Sequence, residues 1–487
     1  MAPVRRKRRK DFDLDLTLRR RFGKCSFRPL QREVITTALD GEDVFLQAAT
    51  SFGKSLCYQL PAVVDYGITI VISPLLSLMN NQVAALQAAG IEVGCLNSTT
   101  SRDVKTELIS DLQTGHPHTR LLYVTPEYTT LDYFRRILRT IHMQCELSRI
   151  AIDEAHCISE WGHDFRPAFK ALSFFKTEFP DVPMICLTAT ATAEVREDII
   201  TVLGLDPRKL KIYTMTTARP NLHYEVRFKT DDQDHYNDFL KWLKAVHNRR
   251  RSCPERNAQL TQVNERVDNV CGIIYTLFRK DCESLAARLC GDGIGAKPYH
   301  AGLENSQKND HLAGWVANKQ GYDVIVATTA FGMGIDKENV RFVVHWQIPK
   351  SFEGFYQEAG RAGRDGKASL CIMYYSREDR DRSIQMLSKD QAKQAANKHG
   401  SFHMSEQAMN RAKSLQALIA YCENTGACRH HLICQYFGEE IVPECDYACD
   451  WHKDKRALER AKKEGLASED WCSTQRDSGA YAVDEYE

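Results

Sequence analysis

From Phe22 to about Leu205, short runs of apolar residues alternate with stretches of helical periodicity. Val44–Gln47, residues 68–73, 121–125 and 150–153, and Met184–Thr188 predict strands buried on both faces of a parallel sheet. Strands alternating with helices imply a doubly wound α/β domain. A second series begins near Tyr213 and includes residues 272–276, 324–328 and 340–345. The pattern therefore predicts a lead-in over 1–21 and two α/β lobes, over 22–208 and 209–382, with a cleft between them. Residues 247–269 are polar and rich in Arg, Asn and Gln, and predict an exposed, mobile insertion in the second lobe. Beyond about Arg382 strand signals stop. Helical stretches such as 405–421 predict a small helical module over 383–455, and the charged residues 456–487 a helix or frayed tail.

Composition adds limits. Apolar and charged fractions of 43% and 26% over 487 residues are those of a soluble globular protein. The longest apolar runs, such as Ile68–Ile72, are far short of a membrane span. No apolar segment follows the basic N-terminus, so an intracellular chain is expected, with its 17 cysteines mostly reduced and any cluster of them suited to metal. A net charge of +1 leaves nucleic-acid binding to a local basic face. Arg5, Arg6, Lys7, Arg8, Arg9 and Lys10 form one dense run. It reads either as a solvated tail or as a nuclear-import signal or phosphate-binding arm, and a nuclear location is the expectation.

The chemistry starts after the first strand. Ala49-Thr50-Ser51-Phe52-Gly53-Lys54-Ser55 leads into an apolar helix, Leu56–Val64. Strand, tight loop, Gly-Lys-Ser and helix make a P-loop: backbone N–H groups hold phosphates, Lys54 reaches the terminal ones, and Ser55 ligates Mg²⁺. Bulkier residues replace the glycines usual earlier in such a loop, leaving Gly53 alone. At the end of the strand at 150–153 stands Asp153-Glu154-Ala155-His156. Asp153 suits the metal and Glu154 the general base that polarises an attacking water. In the second lobe, Gln357-Glu358-Ala359-Gly360-Arg361-Ala362-Gly363-Arg364 holds two arginines three apart. On a short helix both guanidiniums point the same way, as arginine fingers for a phosphoryl-transfer transition state would.

In this order the motifs resemble a superfamily 2 helicase, and in detail the RecQ branch. The family's opening motif is matched by Phe22-Gly23, Phe27-Arg28-Pro29 and Gln31, and later ones by Ser73-Pro74-Leu75, Tyr123-Val124-Thr125-Pro126-Glu127, Leu187-Thr188-Ala189-Thr190-Ala191, Tyr299-His300-Ala301-Gly302-Leu303 and residues 327–337. Ser159-Glu160-Trp161-Gly162-His163-Asp164-Phe165-Arg166-Pro167 resembles the family's aromatic-rich loop, which senses single-stranded DNA. Aromatic rings and arginine suit stacking on bases and pairing with phosphate. The resemblance implies two RecA-like lobes with ATP·Mg²⁺ between them. Around the nucleotide it places Arg28 and Gln31 (adenine selectivity), Thr50, Gly53, Lys54, Ser55, Gly334 and Asp336, with Gln357 beside the catalytic arginines. Lys24 stands where the family's base-stacking aromatic is usual. Single-strand contacts are implied for Ser73, Pro74, Thr125, Pro126, Trp161, His163, Phe165, Arg166, His300 and Thr328. Ser73 and Thr125 read equally well as helix caps or strand-end turns.

Near the C-terminal end, Cys445-x₃-Cys449-x₂-His452 joined to Cys428 can close a tetrahedral Zn²⁺ site, with Cys422 and Cys434 as competing ligands. The resemblance places a zinc module here, usually ending in cysteine where this chain has His452. The sequence continues for 35 residues after His452. That is too short for the winged-helix and further helical domains that some family members carry. The expectation is a monomeric ATP-dependent helicase moving 3′-to-5′ on single-stranded and forked DNA, serving repair or recombination, with no membrane partner. An RNA helicase and a non-catalytic DNA-binding adaptor are the rival readings.

Overall fold

The computed structural model describes residues 12–159, 166–229, 235–252, 254–262, 265–332, 335, 337–397, 406–440, 445 and 448–466. Its first sheet is built from β1 (Val44–Gln47), β2 (Ile68–Ile72), β3 (Val93–Leu96), β4 (Leu121–Val124), β5 (Leu147–Ile152), β6 (Met184–Thr188) and β7 (Lys211–Thr214). Every position of β1, β2, β4, β5 and β6 is buried, as strands covered by helices on both faces require. All pairings are parallel, in the order β3-β4-β2-β5-β6-β1-β7. The second sheet is also parallel. It contains β8 (Leu222–Phe228), β9 (Gly272–Tyr275), β10 (Ala296–Tyr299), β11 (Val324–Ala327), β12 (Phe342–His345) and β13 (Ser369–Tyr375), ordered β10-β11-β9-β12-β13-β8. Two RecA-like lobes result, and in such sheets function gathers at the C-terminal strand ends.

Two expectations need correction. The strand at Tyr213 does not open the second lobe: β7 pairs with β1 and closes the first sheet at its edge. Much of the exposed insertion expected over 247–269 is helical. Helix His235–Arg251 runs on past 247, and a second helix, Pro254–Gln262, follows it. Tyr236, Phe239, Leu240 and Leu243 anchor the first helix in the second lobe's core. Its C-terminal part and the segment after the second helix are tied by polar contacts, Arg250 to Glu265 at 2.9 Å and Arg266 to Asp323 at 2.7 Å. The expected helical module is present and shares its core with the second lobe. Leu415, Leu418, Tyr421, Ile433, Phe437 and Cys449 pack in one cluster with Tyr224, Phe352 and Tyr356 of the second lobe. Helix Lys455–Leu466 continues that packing, Gly465 lying so close to Phe228 that a Cβ would fall 2.5 Å from its side chain. Residues 1–11, which hold the basic run, and 467–487 lie outside the described residues. No helix of the described residues is long and apolar enough to cross a membrane.

Candidate nucleotide site and metal centre

β1 delivers the phosphate loop. After Ala48 the chain makes one 3-10 turn, Thr50–Phe52, and Gly53 then takes φ +79°, a left-handed value that glycine adopts without strain. Phe52 accounts for the missing glycines: its ring turns inward, only 6% exposed, into the first lobe's core. Gln31, 3% exposed, braces the turn from behind. Its amide donates to the Phe52 carbonyl at 2.9 Å and the Gly53 carbonyl at 3.4 Å, while its oxygen accepts from Arg28 N–H at 2.9 Å. The Arg28 guanidinium bonds the Ser51 carbonyl. In this conformation both residues hold the loop. Lys24 is exposed. Ser55 opens the helix Leu56–Val64 and its hydroxyl makes no capping bond.

Lys54 is buried, its Nζ donating to the Ala48 carbonyl at 3.0 Å. Burial lowers its pKa, opposed by the neighbouring Glu154 and Asp153 and assisted by Arg364 of the second lobe. Asp153 follows β5, 4% exposed. Burial first, then Glu154, pushes its carboxyl up to about 7, against the pull of Lys54. Ser55 and Asp153 supply the hard oxygen donors that Mg²⁺ takes, and the cation's charge would favour the ionised carboxylate. Glu154 adopts φ +52°, a costly backbone for a side chain with a Cβ. Its carboxylate lies 3.4 Å from Nδ1 of His156, which is fully buried and 3.0 Å from the Thr188 hydroxyl. Thr188 Oγ1 accepts from Thr190 N–H at 3.2 Å, and Thr190 Oγ1 accepts from the Gln357 amide at 3.0 Å. A continuous polar path thus joins the acidic pair to the second lobe.

The arginines do not share a helix. Helix Phe352–Ala359 is capped by Ser351, whose hydroxyl accepts from Gly354 N–H at 3.0 Å, and it stops before Gly360. Arg361 and Arg364 occupy the turns that follow, where Gly363 takes φ +55°. Arg361 is 5% exposed and bonds the Tyr275 hydroxyl, which in turn donates to the Phe331 carbonyl at 2.7 Å. Arg364 donates to the Ile335 carbonyl at 2.8 Å. The Thr50 hydroxyl donates across the cleft to the Gly360 carbonyl at 3.1 Å. Lys54 is therefore close enough to feel both Asp153 and Glu154 of its own lobe and Arg364 of the second, and Arg361 and Arg364 both act on Tyr275. Gly334 and Asp336 lie outside the described residues.

The expected single-strand contacts are only partly at the surface. Ser73 has 0% exposure, Pro74 and Pro126 are buried, and His300, 3% exposed, faces Glu283 at 3.1 Å. These positions follow β2, β4 and β10 directly, and such strand ends turn side chains into the packed sheet. Thr125 caps the short helix Pro126–Thr129, accepting from Tyr128 N–H at 3.4 Å, and the Thr328 hydroxyl accepts from Ala330 N–H at 3.4 Å. Both are half-buried. Arg166 Nη1 donates to the Pro74 carbonyl at 2.8 Å. Trp161, His163 and Phe165 lie outside the described residues.

At the other end of the second lobe, ligand atoms of Cys428, Cys445, Cys449 and His452 all lie within 4.8 Å of one another. Sγ–Sγ separations are 3.9 Å for Cys445–Cys449 and 3.8 Å for Cys449–Cys428, and Cys449 Sγ stands 3.2 Å from His452 Nδ1. Tetrahedral Zn²⁺ with bonds of about 2.3 Å to sulfur needs sulfurs about 3.8 Å apart, so the quartet fits the ion. Cys422 is fully buried in the apolar cluster and Cys434 accepts from the Thr217 hydroxyl at 3.7 Å; neither joins the quartet. Four protein ligands leave no open position, so the zinc is structural. One zinc per chain is expected in a metal assay, and chelation at neutral pH should lower the melting temperature as the module loosens; a metal-free protein of unchanged melting would contradict the assignment.

Compared with known proteins, the chain matches family models for a DEAD/DEAH box helicase over residues 28–199, a helicase conserved C-terminal domain over 255–366 and a RecQ zinc-binding domain over 377–453. ATP-dependent DNA helicase Q5 of Rattus norvegicus is 42% identical over 465 residues, covering 94% of this chain and 45% of that protein. ATP-dependent helicase SGS1 of Saccharomyces cerevisiae is 41% identical over 431 residues, covering 87% of this chain and 27% of that protein. The chain thus spans less than half the length of either relative. Among solved structures, Mycobacterium smegmatis helicase Lhr bound to ssDNA and AMP-PNP superposes with a TM-score of 0.53 at 18% identity, over 76% of this chain and 49% of that one, a likeness of fold. A helicase core alone would leave the branch open; the zinc-binding model falls on the segment that carries the Cys₃His cluster, and with identity above 40% to helicases Q5 and SGS1 the chain belongs to the RecQ family.

Proposed function

We propose that this chain is the motor of an ATP-dependent DNA helicase that translocates 3′-to-5′ along single-stranded DNA and opens forked or structured duplexes. The reading rests on one observation: a phosphate loop and acidic pair from one lobe meet an arginine turn from the other in a shared cleft. In it, loop N–H groups and Lys54 bind the terminal phosphates of ATP, and Ser55 and Asp153 hold Mg²⁺, which supplies charge neutralisation at those phosphates. Glu154 takes the proton of the attacking water. Gln357, Arg361 and Arg364 complete the site from the second lobe, so hydrolysis depends on closure and closure is felt by the bound strand. Thr125, Thr328 and Arg166, with the loop containing Trp161, His163 and Phe165, are the DNA-facing residues of this reading. The protein acts as a monomer, in the nucleus, in repair or recombination.

ATP turnover should rise at least about tenfold with single-stranded DNA, and much less with RNA of equal length and sequence. Equal or greater stimulation by RNA would overturn the choice of DNA. Forked substrates with only a 3′ or only a 5′ single-stranded arm test direction, and unwinding confined to the 3′ arm is expected.

A further inference from the structure

The chain that links the two sheets, between β7 and β8, does more than connect them. Arg219 lies on it, 7% exposed, and no carboxylate pairs with it among the described residues. Its guanidinium instead donates to three successive-turn carbonyls: Gly360 at 3.3 Å, Ala362 at 3.0 Å and Gly363 at 3.0 Å. Asn221, two residues on, donates to Gly363 at 2.8 Å and Lys367 at 3.1 Å. These carbonyls come just after helix Phe352–Ala359 ends, where the backbone has run out of helical partners. They also bracket Arg361.

Both ends of the linker are pinned. On the first-lobe side, Met215 N–H donates to the Gln47 carbonyl of β1 at 2.9 Å. The Tyr356 hydroxyl donates to the Thr217 carbonyl at 2.9 Å, and the Glu439 carboxylate accepts from the Thr216 hydroxyl at 2.7 Å and from Thr217 N–H at 2.5 Å. The Gly360 carbonyl is shared: Arg219 reaches it from the linker and Thr50 reaches it from the phosphate loop at 3.1 Å. One peptide group is therefore touched by the phosphate loop, the linker and the arginine turn. A planar guanidinium can serve several carbonyls at fixed angles, which a flexible ammonium does not reproduce.

We infer that Arg219 is a positioning residue for the ATP site: from the linker it clamps the turn that carries Arg361 and Arg364, so that closing the lobes moves the arginines as one body with the linker. The inference rests on the proposed hydrolysis of ATP in this cleft. Misplacement of a transition-state group by about 1 Å costs on the order of a hundredfold in rate, whereas ground-state binding, held by Lys54 and the phosphate loop, is untouched.

The test is steady-state ATP hydrolysis by the full chain with saturating single-stranded DNA, comparing wild type, Arg219→Ala and Arg219→Lys, with melting temperature and zinc content as checks of folding. For Arg219→Ala, kcat should fall about 30- to 100-fold while KM and the affinity for a fluorescent ATP analogue stay within about threefold. Low-millimolar guanidinium should restore part of that kcat, and Arg219→Lys should keep wild-type melting with kcat at least about fivefold down. If Arg219→Ala fails to fold, Arg219→Lys decides. A folded variant with wild-type kcat, or a parallel loss of kcat and nucleotide affinity with no rescue, overturns the positioning role. Wild type that hydrolyses no ATP with DNA present overturns the proposed function and this inference together; active wild type with unaffected variants overturns the inference alone.

Discussion

Glu154→Gln is expected to lower ATP turnover about a thousandfold or more while leaving nucleotide affinity within about threefold of wild type. The amide matches the carboxylate in size but cannot take a proton. Nothing else at the site should change. Phosphate binding belongs to the loop around Gly53 and to Lys54, whose Nζ sits against the Ala48 carbonyl rather than on Glu154. The φ of +52° at Glu154 is set by the turn between β5 and the buried Ala155, and glutamine meets it on the same terms. A coupled ATPase assay beside a fluorescent-nucleotide titration reads both quantities. Equal loss of binding and turnover would make Glu154 part of the binding frame and leave the base unassigned.

The largest effect on stability is expected far from the cleft. Asp450→Ala should cost about 3–5 kcal/mol, because it strands a buried arginine. Arg429 has 0% exposure, and its Nε and Nη2 donate to Asp450 at 2.9 and 3.1 Å. Asp450 Oδ2 also accepts from Val226 N–H of β8 at 2.9 Å, and Oδ1 from Trp451 N–H at 2.7 Å. The pair thus fastens the zinc module to the last strand of the second sheet, next to two of the metal's ligands. Alanine removes the acceptor of two N–H groups and leaves the guanidinium only the Tyr421 carbonyl. Urea unfolding followed by tryptophan fluorescence should show the loss, with zinc released at lower urea than from wild type. A shift below about 1 kcal/mol would mean that the module is held by its apolar contacts alone.

Much of this was legible in the chain because the strands that carry the chemistry are fully buried. β1, β2, β4 and β6 are short, mainly apolar runs, and β5 is one from Ile150 on, after the buried Ser148 and Arg149 at its start, where the apolar signal began late. Strands at the sheet margins were not legible in this way. β10 contains Pro298, tolerable only because β10 is an edge strand with one unpaired side. β7 is largely exposed, so its membership of the first sheet left no apolar signal. β8 alternates inward Leu222, Tyr224 and Val226 with outward residues, a half-covered pattern unlike its neighbours. Past residue 247 the helical chain leaves the core that buries Phe239 and Leu243, and the arginine contacts that hold it there are announced by no hydrophobic period. At the site, spacing suggested a helix through Arg361 and Arg364, whereas Gly360 and Gly363 end it.

Residues that support the site were harder to see than those that form it. Gln82, which contacts Asp153 at 3.5 Å and takes bonds from Tyr58 at 2.6 Å and Tyr123 at 2.7 Å, sits in an ordinary helix. Tyr275 ends a buried strand like any other apolar residue. Thr190 was visible only as one letter of a motif; that it bridges to Gln357 is a fact of the fold. Local sequence announces a phosphate loop because loop and helix are contiguous, but gives no sign of a contact made across the cleft.

The central claim is that hydrolysis in the first lobe needs arginines from the second, and Arg364→Ala tests it most directly. With nucleotide affinity measured in parallel, DNA-stimulated kcat should fall about a hundredfold or more while ATP binding stays within about threefold. Arg364→Ala turning over ATP at the wild-type rate, with binding intact, would contradict a shared site between the lobes.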